Sequence, residues 1–152
     1  MNGKISKKFG RITKQKVLLT ALVATIVEFI FGSLTCGWLF NWVYSIEPTV
    51  AWKYAAGVMP GGSVMLTSFI GGFALNLILV AVFVILYNSI PYKGWKRGAK
   101  FGGLIWVVSV LPGMFATYLW MNVAFAYVIY MAIAGLVNLL IKGSIIGKMI
   151  RK

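Results

Sequence analysis

The chain has 152 residues, is 61% hydrophobic and 11% charged, and has a mean hydropathy of +0.90. Soluble domains run about 45–50% apolar and about 25% charged, so no single water-soluble core of this length hides the excess, and lipid is the remaining solvent. The net charge is +13, set by 15 Lys and Arg against two acids; the basic residues sit almost entirely in three short clusters between or outside apolar runs, which points to anionic lipid headgroups rather than to nucleic acid.

With no histidine, a single cysteine and two acids, imidazole chemistry, an internal disulfide and a carboxylate metal cage are excluded. No cofactor and no metal is expected. The class the sequence specifies is all-α: a polytopic membrane four-helix bundle, one transmembrane domain over residues 1–152, in the cytoplasmic (inner or plasma) membrane.

In chain order, residues 1–16 come first. Ile5, Phe9 and Ile12 repeat at spacings of four and three, with Lys4, Lys7, Lys8, Arg11 and Lys14 around them. That pattern fits an amphipathic helix lying on anionic lipid, or a frayed tail weakened by Gly10. The first apolar run spans about 17–43. It is too long for a signal peptide, so a retained helix is expected.

Ala21, Thr25, Glu28, Gly32, Thr35 and Cys36 fall on one face of this helix by their spacing, so Glu28 points at neighbouring helices and Gly32 is a packing residue. The connection after it, with Glu47, Pro48, Trp52, Tyr54 and Gly57, fits a short surface helix on the outer side. The second run, about 64–90, carries Asn76 at a depth similar to Glu28.

The next loop holds Lys93, Lys96, Arg97 and Lys100, placed to meet lipid headgroups. Interleaved with them, Gly94, Gly98 and Gly102 recur every fourth residue, a stripe that lets two helix backbones approach. The third run spans about 102–120. Pro112 and Gly113 near its middle predict a kink, read either as simple shaping of the bundle or as freeing a carbonyl near Val108 to line a polar site. The fourth run, about 123–141, contains Asn138, roughly 9 Å nearer the cytoplasm than the midplane group at the helical rise. Lys142, Lys148, Arg151 and Lys152 are taken to end or follow it. Because the outer connections hold only Lys53, both termini are expected on the cytoplasmic side.

The segment from Lys93 to Phe115, K-G-W-K-R-G-A-K-F-G-G-L-I-W-V-V-S-V-L-P-G-M-F, resembles uncharacterised small four-helix membrane proteins of bacteria and archaea. The likeness covers the C-terminal half of the chain. It implies the four-helix topology and carries no activity.

Glu28 is the best handle on function. An acid at this depth costs about 2.5–3.5 kcal/mol on insertion scales. Every Lys and Arg is assigned to a helix end, so the expectation is an uncompensated carboxyl held neutral and bonded to Asn76 or a backbone carbonyl, with Thr25 and Asn138 completing an intramembrane polar site. Such a group serves either a proton- or cation-coupled site or neutral glue between helices. No catalytic residue set exists, so no enzyme is expected. The reading is a small transport or ion-permeation protein, as a homo-oligomer; the alternative is a non-catalytic component binding anionic lipid or a protein partner.

Overall fold

A computed structural model describes residues 12–48 and 61–150. The basic N-terminal residues 1–11 and the expected surface helix within 49–60 lie outside the described residues. Four helices are long and apolar enough to span a membrane: α1 (Lys14–Leu39), α2 (Gly62–Leu86), α3 (Gly94–Trp120) and α4 (Phe125–Met149). Their 25 to 27 residues give about 37–40 Å of helix, against about 30 Å of hydrocarbon. The chain is therefore a multi-pass membrane protein by helix length and hydropathy.

The helices start and stop where local chemistry directs. Thr13 caps α1, its hydroxyl accepting from the Lys16 N–H at 3.4 Å. Gly94 enters α3 at a φ of +57°, in the left-handed region that glycine tolerates. Hydroxyls inside the spans bond back to their own helix: Thr20 to the Lys16 carbonyl at 2.7 Å, Thr25 to Ala21 at 2.8 Å, Ser144 to Leu140 at 2.7 Å. Each of these three hydroxyls thus has a partner within its own helix.

The neighbours of α1 are α2 and α4, and α4 also packs against α3. The α3–α4 contact is the closest. A Cβ on Gly98 would run into the Gly143 carbonyl and lie 2.8 Å from the Gly147 Cα; one on Gly102 would meet the backbone of Leu139. Reciprocally, a Cβ on Gly147 would lie 2.5 Å from the Gly94 carbonyl oxygen and 2.6 Å from the Gly98 nitrogen. The Gly94–Gly98–Gly102 stripe thus docks on a second stripe, Gly143–Gly147. Without a hydrophobic drive in lipid, this backbone-to-backbone approach gathers enough van der Waals contact to hold two helices.

The buried apolar core lies toward the end where α1 begins and α4 finishes, here termed the basic end. Ile12, Ala21, Val80, Phe83, Val84, Tyr87, Ile90, Phe101, Ile146 and Ile150 form it, with the Phe83 and Phe101 rings edge to face at 5.1 Å. Toward the far end fewer side chains are buried. Outward-facing Val108, Phe115 and Trp120 of α3 are 74%, 64% and 86% exposed. An aromatic cluster of Phe40, Tyr44, Tyr127 and Tyr130 ties the end of α1 to α4 there.

Two expectations about helix shape change. Around Pro112, helix α3 contains a π-turn over Trp106–Val110, so the proline's missing N–H falls where the bonding register already shifts. The Val108 side chain is exposed, and nothing lies within 4 Å of where a Cβ on Gly113 would be. And α4 does not stop at Ile141: it runs to Met149, because Gly143 and Gly147 are needed against α3. Lys142 is therefore inside a helix, seven residues short of its end, about 10 Å along the axis.

Candidate functional site: an ion pair beneath a groove

The structure overturns the expectation of an uncompensated carboxyl. Lys142 Nζ lies 2.9 Å from Glu28 Oε1, a salt bridge between α4 and α1. Reading Lys142 as a helix terminus placed it too shallow. Side chains on a helix lean toward its N-terminus. The N-terminus of α4 is at the far end and that of α1 at the basic end, so Lys142 leans inward, Glu28 leans toward the basic end, and the two meet between.

Asn76 of α2 completes the arrangement. Its Nδ2 donates one hydrogen to Glu28 Oε2 at 2.6 Å and the other to Thr25 Oγ1 at 3.2 Å. Thr25 can accept because its own hydrogen is spent on Ala21. Three helices are thus joined through one carboxylate. Thr25, Asn76 and Lys142 are buried. Glu28 is the exception, its side chain 37% exposed against 7% for Lys142. Gly72 makes room for it on α2, where a Cβ would lie 4.0 Å from Glu28 Oε2.

The exposed edge of Glu28 faces a groove of about 540 Å³ between the far halves of α1 and α2. Phe29, Ser33 and Cys36 line one wall, and Met65, Ser68 and Phe69 the other. The Phe29 and Phe69 rings meet edge to face at 5.9 Å. Gly32, expected to pack helices, instead lines this groove, with nothing within 4 Å of where its Cβ would be. The α1 backbone approaches no neighbour there. On the basic side of the ion pair, Ala21, Val80, Phe83, Phe101 and Ile146 are packed shut.

Asn138 lies one turn before Lys142 on α4 but is not bonded to Glu28; its Oδ1 is buried with no hydrogen-bond partner. At the basic end, Lys93, Lys96 and Lys100 are exposed, whereas Arg97 turns inward to stack over the Tyr87 ring at 4.2 Å. Lys96 and Lys100 sit over Trp95 and Tyr92 at 5.8 and 5.2 Å. Tyr92 takes a φ of 80° on the approach to α3.

Near the far end, Cys36 Sγ lies 3.5 Å from the Tyr130 hydroxyl, and the Tyr44 hydroxyl donates to Met131 Sδ at 3.8 Å. Burial, and then the hydrogen bond with Cys36, push the Tyr44 phenol above its ordinary 10.0. Among the described residues no group of three or more His, Cys, Asp and Glu is placed to hold a metal ion.

Sequence reasoning missed Lys142 and the glycines that follow it. The signal is present in the sequence: G-S-I-I-G repeats the four-residue glycine spacing of the α3 stripe just beyond Lys142. No known protein family matches the chain, and no curated protein or solved structure matches it significantly.

Proposed function

We propose that this is a small membrane transport protein whose working site is the Glu28–Lys142 pair. The supporting observation is one-sided access: the pair is open to the groove toward the far end and closed by the apolar core toward the basic end. A carrier at rest needs this asymmetry. Intramembrane charges in such proteins pair with one another and mark the solute path. Here the pair keeps the site near neutral in lipid, and a solute that competes for Glu28 releases Lys142.

The excess of Lys and Arg at the basic end favours that end as cytoplasmic, so the groove faces outward. Assembly as a homo-oligomer fits the exposed apolar surface of α3.

The test is ion movement into proteoliposomes under imposed H⁺, Na⁺ and K⁺ gradients, comparing wild type with the charge-balanced double variant Glu28→Gln/Lys142→Met. Flux in wild type that vanishes in a double variant of normal helicity supports the reading. Equal flux in the two, or wild-type flux no greater than that of empty liposomes, refutes it.

A second reading, a non-catalytic component bound to anionic lipid, has its own observation. The chain's two acidic side chains are Glu28 and Glu47; the first is engaged by Lys142 and the second follows the far end of α1, so among the described residues Lys93, Lys96 and Lys100 have no carboxylate beside them. Lipid phosphates are the counter-charge their position favours, at about 1 kcal/mol each.

A further inference from the structure

The groove has a chemistry more specific than its volume. Seen from inside it, the one accessible charged group among the described residues is the open edge of the Glu28 carboxylate; Lys142 approaches the other side and is buried. A carboxylate offers about four lone-pair positions. Lys142 occupies one on Oε1 and Asn76 one on Oε2, and each oxygen keeps another. Beside this acceptor stand two aromatic rings, Phe29 and Phe69, and away from it the walls include Val64 and Met65.

We infer that the groove binds a lipophilic ammonium: an amine carrying at least one N–H, with an apolar body of modest size. The N–H takes an open lone pair of Glu28, the positive charge is also attracted to the faces of the phenylalanine rings, and the apolar body covers the aliphatic wall. A volume of about 540 Å³ is in the range that holds a drug-sized molecule. A ligand ammonium in contact with the carboxylate is nearer to it than to Lys142, so attraction exceeds repulsion. An anion entering the groove would meet Glu28 first and be repelled. This inference rests on the transport reading for its purpose but not for its geometry.

Binding is measured by calorimetry on the full chain in phosphatidylcholine nanodiscs, with empty nanodiscs as the blank. The probes are 4-phenylbutylamine, 4-phenylbutan-1-ol and 4-phenylbutyrate. The amine is expected to bind at least tenfold more tightly than the alcohol, and the carboxylate not at all. Lys142→Met removes the competing cation and should tighten amine binding about tenfold. Glu28→Gln/Lys142→Met, which balances charge, should bring the amine down to the level of the alcohol. Gly32→Leu fills the groove from a position with no neighbour within 4 Å, so the fold survives, and amine binding should fall at least tenfold. Equal affinity for amine and alcohol, preference for the carboxylate, or amine binding unchanged by Gly32→Leu overturns the inference. Amine that binds as described but is not accumulated by proteoliposomes would overturn amine transport and leave the site standing. Failure of the amine alongside Glu28-dependent ion flux would do the reverse.

Discussion

Neutralising Glu28 should be among the most damaging single substitutions in the bundle, and neutralising Lys142 with it should repair most of the harm. Two unit charges 2.9 Å apart attract by about 6 kcal/mol at an effective dielectric constant near 20. Desolvation offsets much of this, several kcal/mol for each buried ion. The net worth of the intact pair is therefore small, while the cost of halving it is large. Glu28→Gln leaves the Lys142 ammonium, 7% exposed, without a counter-charge, and should cost about 3–5 kcal/mol. Lys142→Met should cost less, about 1–3 kcal/mol, because Glu28 is open to the groove, where its charge is more easily screened, and keeps its bond from Asn76. The double variant should return to within about 1 kcal/mol of wild type, since an apolar replacement of similar volume often equals a buried pair. The assay is unfolding by dodecyl sulfate in mixed micelles, followed by circular dichroism. Additive single effects, with a coupling below about 0.5 kcal/mol, would show that the two side chains do not interact and would remove the site.

The remaining expectations concern packing and pH. Gly98→Ala pushes a methyl into the Gly143 carbonyl and should destabilise the α3–α4 hairpin by about 1–3 kcal/mol, whereas Gly32→Ala, in open space, should be neutral or gain up to about 1 kcal/mol from helix propensity; the same unfolding assay reads both. Equal effects at the two glycines would contradict the packing described. The Tyr44 phenol is raised on folding, so its contribution to stability is complete below its ordinary value of 10.0 and is lost as pH climbs above it. Alkaline unfolding followed by ellipticity should therefore shift to higher pH in Tyr44→Phe relative to wild type, once the difference in their neutral-pH stability is subtracted.

The spans were legible because length and apolarity decide them: each long run must be a helix once lipid is the solvent. The α3 glycine stripe was legible from spacing alone. Its partner was not, because Lys142 interrupts the fourth apolar run and mimics a helix end, which also conceals the cation that pairs with Glu28. In lipid a lysine near a helix end normally snorkels outward; Lys142 runs inward because Glu28 waits across the helix interface. That choice depends on two residues 114 positions apart in sequence and on which helix faces meet, neither of which periodicity in one segment can reveal. Gly32 shows the converse. By spacing it lies on a helix face of small and polar residues, as Gly98 lies on a glycine stripe, yet one faces a groove and the other a backbone. A small residue permits close approach; only the rest of the packing makes it happen.

The position of the ion pair is more telling than its existence. On one side of it, α3 and α4 are locked by glycines and the core rings Phe83 and Phe101 close the interior. On the other, α1 and α2 part to leave the groove. A bundle held together for stability alone would place apolar side chains at this boundary, since they pack as well and carry no desolvation penalty. Charges there make the boundary responsive: any solute that alters the bond between Glu28 and Lys142 alters the contact that α1 makes with α4 just where tight packing gives way to open space. On the proposed reading, binding in the groove and the arrangement of the helices would be coupled through one carboxylate, which is what a carrier requires.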